Sequence, residues 1–325
     1  MGDFKVDHTQ TLFMCSLYVT IGVVSTLCSL TTITLYLSNR ELRRKYILYM
    51  VLDISELIDA ISYILLGTGR GHALLTGIMS TPITVHDCFY TKYWPHSLIL
   101  GTQLPAFTTL FLSFERILAV IKPATYKRVF TQEMKYMLSA LVPIFGVVTI
   151  IFAGLSIIGV EGSRIVGTHH CAIITSTGKW YATFHFFFIV LAYVVSFCST
   201  LIVWVTRQVW RKLAQSKYGA PEDRLTMILA MSVSSIFLLA SPAVVMLTIL
   251  WDITDWGDIE VAITYAMPGF LAVANTIIAF KFRKDLRHQF LYLIGRRRIA
   301  HHEHSMFSKS TASHLRKLHK HETKY

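Results

Sequence analysis

Residues 180–206 read WYATFHFFFIVLAYVVSFCSTLIVWVT, a run of 27 residues that contains no Asp, Glu, Lys or Arg. An α-helix rises about 1.5 Å per residue, so about 20 residues cross the hydrocarbon core of a bilayer. The backbone finds no water inside that core, and a helix satisfies its own N–H and C=O groups. The run therefore predicts a membrane-spanning helix.

Similar apolar blocks recur along the chain. Hydrophobic residues make up 53% of the sequence and charged residues only 15%, against about 25% charged residues in soluble globular proteins. We predict an all-α membrane protein, a bundle of seven transmembrane helices over 11–37, 46–67, 97–121, 134–158, 180–206, 225–251 and 259–281. The other predicted parts are an external arm over 1–10, a short amphipathic helix in the membrane interface over 282–294, and a basic, disordered cytoplasmic tail over 295–325.

The basic residues set the predicted orientation. The net charge is +12, and the cations stand in short gaps between apolar blocks and in the tail, which indicates a membrane surface rather than nucleic acid. With the N-terminus outside, the inner loops hold Arg40, Arg43, Arg44, Lys45, Lys122, Lys127, Arg128, Lys135, Arg207, Arg211, Lys212, Lys217 and Arg224. The outer segments hold only Lys5, Arg70, Lys92, Arg164 and Lys179. This bias predicts a multi-pass plasma-membrane protein with a cytoplasmic C-terminus, in contact with membrane lipids.

The second predicted span is unusual because it carries Asp53, Glu56 and Asp59. Each charge at mid-bilayer costs about 2.5–3.5 kcal/mol on insertion scales. Apolar residues flank the three acids on both sides, so we keep the segment as a span. The acids are then expected to face the bundle interior or to be protonated.

The third predicted span ends in the most specific segment, FERILAVIKPATY at 114–126. Glu115 and Arg116 can form a local ion pair, and the arginine can exchange that partner for groups exposed when helices separate. Alternatively, Arg116 only snorkels to the interface as an anchor. The dipeptide alone does not decide between a switch and an anchor.

The spacing of the segment resembles the Asp-Arg-Tyr signature of rhodopsin-like G-protein-coupled receptors. Glu115, Arg116, Ala119, Pro123 and Tyr126 match that signature, and Ile117 departs from it. The resemblance gives these five residues a role in activation and G-protein coupling. With its weakened core motifs, the chain is most similar to the divergent serpentine chemoreceptors of nematodes, in particular their SRSX-like branch.

The resemblance implies further site residues. Cys88 and Cys171 stand where the family has a disulfide between the third span and the second outer loop. Asn275 matches the Asn of the seventh-span motif, although Thr276 and Ala279 depart from it, and Glu56 is its expected partner in a polar core. Alternatively, Glu56 and the other acids of the second predicted span only pair with polar neighbours. Pro242 occupies the place of the sixth-span kink proline.

The expected function is that of a chemosensory receptor. A small, weakly polar ligand is expected between spans three, five, six and seven, lined by Leu98, Thr102, His185, Leu247 and Tyr265. These side chains could instead be ordinary helix packing. The resemblance implies a heterotrimeric G protein as the partner at the inner face. Phosphorylation of tail serines such as Ser305 and Ser308 would recruit a regulatory protein, so a kinase and an arrestin-like protein are expected partners.

Other classes of function find less support in the sequence. There is no Gly-rich phosphate loop, no metal-ligand spacing in a span and no nucleophile elbow, so we predict no enzyme, no cofactor and no metal. The His-rich stretch at 301–304 is expected to be a solvated tail. The rival is a polytopic transporter or ligand-gated channel. Transporters tend to show inverted repeats and helices broken at mid-membrane, and the sequence shows no internal repeat and no paired Gly/Pro-interrupted spans.

Overall fold

The computed structural model describes residues 7–214, 222–254, 256 and 258–295. Its helices are α1 (His8–Ser38), α2 (Arg40–Lys45), α3 (Ile47–Leu75), α4 (Val85–Thr91), α5 (Trp94–Ile121), α6 (Pro123–Val129), α7 (Gln132–Leu155), α8 (Val160–Ser163), α9 (Ile173–Ser176), α10 (Lys179–Ala214), α11 (Glu222–Ser235), α12 (Ser241–Leu250), α13 (Asp258–Ala266), α14 (Leu271–Phe282) and α15 (Lys284–Leu293). The two strands are β1 (Ile83–Thr84) and β2 (Ile165–Val166).

Within the described residues, six helical stretches are long and apolar enough to cross a membrane. They are His8–Ser38, Trp94–Ile121, Gln132–Leu155, Lys179–Thr206, Thr226–Leu250 and Ile259–Phe282. Large apolar side chains such as Leu27, Ile151 and Phe237 stay exposed on their outer surfaces. A soluble protein rarely leaves so much apolar surface uncovered, whereas lipid covers it at no cost. The chain is therefore an all-α, multi-pass membrane protein.

The remaining long helix is α3, the predicted second span, which packs against α1 and α5. The composition of α3 differs from that of the six apolar stretches because α3 contains Asp53, Glu56 and Asp59. Glu56 and Asp59 are only 3% and 5% exposed. They face the bundle interior, as the cost of lipid exposure requires.

Helix α3 continues to Leu75, whereas the sequence analysis ended it at residue 67. A Cβ added at Gly67 would lie 2.7 Å from the carbonyl oxygen of Cys15, and Gly69 lies against the ring of Trp94. These glycines therefore permit close helix packing inside α3 and do not mark its end. As a consequence Arg70, assigned above to an outer loop, belongs to the last turns of α3.

The sixth and seventh predicted spans are interrupted helices. A π-helical turn over Ile236–Ala240 joins α11 to α12, and Pro242 follows it. Proline lacks the N–H that an α-helix needs at an interior position, and such a turn accommodates the missing bond. A 3₁₀ turn over Met267–Phe270 joins α13 to α14.

One end of the bundle, which we call the disulfide end, is closed by loops. The disulfide joins Cys88 of α4 to Cys171, with 5.3 Å between their Cα atoms. Strands β1 and β2 pair antiparallel beside it, with Ile83 opposite Val166. The opposite end carries Glu115 and Arg116 near the last turn of α5, and we call it the Arg116 end.

The described residues from Arg283 to Gly295 belong to a second unit. Within it, α15 places Leu286 and Phe290 four residues apart, on one helical face. The tail beyond residue 295, including the predicted phosphorylation sites and the His-rich stretch, lies outside the described residues, as do Lys217 and residues 1–6. Helix α1 begins at His8, and Asp7 caps it.

Candidate functional site

Arg116 lies at the Arg116 end and reaches across to α3. Its Nη2 donates a hydrogen bond to the hydroxyl oxygen of Tyr49 at 3.2 Å, and its guanidinium carbon lies 5.8 Å from the centroid of the Tyr49 ring. The arginine is half-buried. This contact joins α5 to α3 through a single side-chain hydrogen bond and a cation–π interaction, both of which can be exchanged for other partners.

Glu115 is paired with residues other than its neighbour Arg116. Its Oε1 lies 3.0 Å from Nζ of Lys135 on α7 and accepts a hydrogen bond from the Tyr126 hydroxyl at 3.1 Å. Pro123 is the first residue of α6, where its fixed φ suits a helix start, and Tyr126 follows one turn later. The proline thereby brings Tyr126 beneath Glu115. Glu115 thus joins α5 to α6 and α7, whereas Arg116 joins α5 to α3.

The remaining residue of the motif, Ala119, is a neighbour of these contacts. Ala119 lies in the last turn of α5, between Arg116 and the start of α6. Its small side chain is half-buried. Tyr126 also stacks on Phe130, with 5.4 Å between ring centroids, and the Phe130 ring lies 6.0 Å from that of Phe114 on α5, which steadies α6 against the end of α5.

A polar pair lies in the middle of the bundle. Nδ2 of Asn275 on α14 donates a hydrogen bond to Oε1 of Glu56 on α3 at 2.5 Å, across 219 positions of sequence. Both residues are buried, at 5% and 3% exposure. The structure therefore brings together the two residues that the sequence analysis assigned to a polar core. A buried polar group is costly unless it is hydrogen-bonded, so this pair fixes α3 against α14.

The disulfide end contains two cavities. The first, which we call the bundle cavity, lies among α3, α5, α10, α12 and α13 and has a volume of about 410 Å³ including solvent at its mouth. Leu98, Thr102 and Tyr265 from the predicted ligand set line it, and Pro242 lies in its wall.

The other two predicted ligand residues lie outside the lining of the bundle cavity. The ring Nε2 of His185 is 3.1 Å from the Thr102 hydroxyl, so this fully buried histidine stands behind the wall. Leu247 is partly buried and packs against the apolar core. The predicted set is therefore divided between cavity wall and core.

The second cavity, which we call the disulfide-end cavity, is larger, at about 830 Å³ including solvent at its mouth. Its wall includes Cys15 and Tyr18 of α1, Arg70 of α3 and His170 of the disulfide-linked loop. Tyr265 lines this cavity as well as the bundle cavity. Cys15, Tyr18, Arg70 and His170 were not among the residues predicted from the sequence. The sequence shows Arg70 only as an arginine next to an apolar block, and such an arginine is equally typical of a loop.

Positive charge in the disulfide-end cavity comes from Arg70 rather than from His170. Burial, and secondarily the Arg70 guanidinium, lower the pKa of His170 from 6.5 to about 3. The imidazole is therefore neutral near pH 7. Arginine stays protonated at any physiological pH, so Arg70 is the cation of this wall.

The bundle of long apolar helices carries a disulfide-anchored loop, a buried polar pair and the charged Arg116 end. Together these features define a serpentine receptor of the G-protein-coupled type. Residues 79–290 match the family model described as the Srg family chemoreceptor. That match covers more than half of the chain, and the chain belongs to the Srg family of chemoreceptors. No curated protein matches it.

Family membership confirms the central prediction of the sequence analysis, a divergent serpentine chemoreceptor. The branch is Srg, where the sequence resembled the SRSX-like branch. The function is that of a chemosensory receptor of the G-protein-coupled type, which is not an enzyme class. The predicted disulfide between Cys88 and Cys171 is present.

Proposed function

We propose that this chain is a seven-span chemosensory receptor that binds a small extracellular ligand within its helix bundle and activates a heterotrimeric G protein. The disulfide end faces outside and the Arg116 end faces the cytoplasm. Helix α3 is the second span, and α15 lies in the inner interface. The ligand cavities, the coupling residues and a tail bound by a kinase and an arrestin-like protein are parts of this proposal.

The observation that carries the proposal is the separation of Glu115 from Arg116. Glu115 is engaged by Lys135 and Tyr126, while Arg116 contacts Tyr49 on another helix. An arginine held by one neutral hydroxyl can leave it at a cost of about 1 kcal/mol. Ligand binding needs only a comparable difference in affinity between two bundle states to shift such an equilibrium. We infer that the Arg116–Tyr49 contact belongs to the resting state.

The ligand pathway follows from the two cavities. The disulfide-end cavity opens toward the outside in the proposed topology, and it shares Tyr265 with the bundle cavity. The Tyr63 hydroxyl donates to the Tyr265 carbonyl oxygen at 2.5 Å, which couples this wall to α3. Helix α3 also carries Glu56 and Tyr49, so a ligand-driven shift of α3 would reach both the polar pair and Arg116.

A signalling assay on Arg116 tests this proposal. In cells that express the receptor with a reporter G protein, Tyr49→Phe should raise basal signalling, because it removes the hydroxyl that holds Arg116. Arg116→Gln should abolish both basal and ligand-evoked signalling at equal surface expression, with ligands taken from a screen of volatile and water-soluble chemicals. Tyr136→Phe is the matched control, since Tyr136 is exposed on α7. Unchanged signalling in Arg116→Gln would contradict the proposed role.

Glycosylation mapping tests the topology separately. An Asn-Gly-Thr acceptor inserted after Gly77, beyond the end of α3, should be glycosylated if α3 crosses the membrane. The same acceptor inserted after Arg128, at the exposed face of α6, should stay unmodified. The reverse result would show that α3 does not span, or that the chain is inverted.

A further inference from the structure

Arg70 is a buried cation without an anionic partner in the described part of the chain. It is 6% exposed. Its Nε donates to the carbonyl oxygen of His170 at 2.8 Å, and its guanidinium carbon lies 5.9 Å from the ring centroid of Tyr18. None of the described ion pairs involves it. A buried charge is costly unless it is paired, so the position calls for an anion.

A purely structural role leaves most of this side chain unexplained. Nε1 of Trp94 already donates to the same His170 carbonyl oxygen, at 3.3 Å, so that loop is held without Arg70. A neutral donor would also serve that carbonyl at a smaller desolvation cost. Arginine instead presents five N–H donors in a planar fork that matches a carboxylate. Only one of the five is used by the carbonyl.

The cavity beside Arg70 is built for an amphipathic molecule. Among the described residues of its wall, the apolar ones are Met14, Ala172, Ile174, Ile259, Val261 and Ala262. Asp7 is the one acid among the described residues of the wall. Its carboxylate caps α1 by accepting hydrogen bonds from the backbone N–H groups of Thr9 and Gln10 at 2.9 and 3.2 Å. The described part of the wall thus offers one cation that has no anionic partner, next to a largely apolar surface.

We propose that the disulfide-end cavity binds small monocarboxylates of medium chain length. The carboxylate pairs with the Arg70 guanidinium, and the hydrocarbon chain lies against Met14, Ile174 and Val261. This inference rests on the proposed function, because it names the ligand class of the receptor's outer cavity. It also departs from the weakly polar ligand expected from the sequence, because the head group is an anion.

Thermal unfolding of the purified receptor tests the proposal without any G protein. The probes are butyrate, hexanoate, octanoate and decanoate, with octanamide as the neutral analogue of octanoate. Octanoate should raise the Tm of the unmodified receptor in a saturable way, and octanamide should not. Arg70→Gln should weaken the apparent affinity for octanoate by about tenfold or more, the loss of one charge-assisted pair. Arg70→Lys should lie between them, since an ammonium is a point charge without the fork.

Two further variants keep the test decisive. Arg164→Gln is the matched control, because Arg164 lies at the same end, pairs with Glu161 and does not line the cavity. It should bind octanoate like the unmodified receptor. Val261→Phe narrows the apolar wall and should weaken decanoate more than butyrate, a readout that survives if Arg70→Gln does not fold.

Three outcomes would overturn the inference: no stabilisation by any of the acids, equal stabilisation by octanamide, or undiminished octanoate binding in Arg70→Gln. Because the assay measures binding alone, such a failure leaves the proposed G-protein coupling untouched. A loss of signalling with intact octanoate binding would instead contradict the proposed function and spare this inference.

Discussion

Arg70 and Arg116 lie at opposite ends of the bundle, and the two are held in different ways. Arg70, at the disulfide end, is buried and bonded to the backbone carbonyl of His170. Arg116, at the opposite end, is half-buried and bonded to the hydroxyl of a tyrosine side chain on another helix. A backbone partner in a disulfide-linked loop is fixed, whereas a side-chain partner can be exchanged. This difference is the basis on which we propose a fixed ligand anchor at one end and a movable contact at the other.

Helix α3 joins the two ends. It carries Arg70 near its last turn, Tyr49 in its first turn and Glu56 between them. The Glu56–Asn275 bond fixes the middle of α3 against α14. Variants at the disulfide, at the polar pair, at His170 and at Glu115 therefore test how far each end depends on its own contacts.

The largest expected effect is loss of the Cys88–Cys171 disulfide. The bond closes a loop of 83 positions, and a loop of that length is worth about 4.5 kcal/mol of folding stability in the chain-entropy model. Cys88→Ser should lower the Tm strongly and reduce octanoate binding, because it frees the loop that carries His170. Cys198→Ser removes an exposed free cysteine and serves as control. A Tm unchanged by Cys88→Ser would show that the disulfide end is rigid without its bond.

The next effect in size concerns the polar pair. Asn275→Ala leaves the buried Glu56 carboxyl without its amide donor, which should cost about 1–3 kcal/mol. Glu56→Gln keeps a hydrogen-bonding group of the same shape and should cost less. Thermal unfolding of the two variants measures the difference. Equal stability of Asn275→Ala and the unmodified receptor would mean that α3 and α14 do not depend on this bond.

Acid should destabilise the disulfide end through His170. Its pKa is about 3 in the folded receptor and 6.5 in an ordinary environment, so the unfolded chain binds a proton more readily between these values. The stability that this neutral imidazole contributes is complete above pH 6.5 and is lost as the pH falls toward 3. The slope is at most about 1.4 kcal/mol per pH unit. Tm measured from pH 7.5 to 5 should fall less steeply in His170→Gln, and parallel curves would contradict the burial of this ring.

The smallest expected effect lies at the Arg116 end. Tyr126→Phe removes one hydrogen bond to Glu115 that is only half-buried, and it should cost less than about 1 kcal/mol. Glu115→Gln also removes the ion pair with Lys135 and should exceed it. Both should raise basal signalling, with Glu115→Gln the stronger, because they loosen α6 and α7 from the end of α5. Equal basal signalling in all three receptors would separate these contacts from the resting state.

Much of the fold could be predicted from the sequence, because bilayer thickness dictates the length of apolar blocks. The Glu56–Asn275 pair and the disulfide could also be predicted. Resemblance to the motifs of a family identifies residues that are far apart in the sequence but close together in the fold. The end of α3 could not be predicted, because the sequence does not show whether a glycine ends a helix or allows a neighbouring backbone to pack closely against it. Gly67 and Gly69 do the second.

The ligand-facing residues were only partly predictable. A π-helical turn adds one residue to a turn and rotates everything beyond it, so helical position before Ile236–Ala240 does not give the facing of Leu247. Arg70 belongs to a wall made by α1, α3, α13 and a distant loop, a juxtaposition that local sequence does not encode. Both cases depend on tertiary packing rather than on hydrophobic pattern.

The central claim is that the two arginines act in different steps, binding at one end and coupling at the other. The most direct test measures octanoate-evoked nucleotide exchange on a purified G protein together with octanoate-dependent Tm, for the unmodified receptor, Arg70→Gln and Arg116→Gln. Arg70→Gln should shift the concentration dependence of exchange by about tenfold or more and leave its maximum unchanged. Arg116→Gln should abolish exchange and keep the Tm shift. The same defect in both variants, or no defect in either, would contradict the central claim.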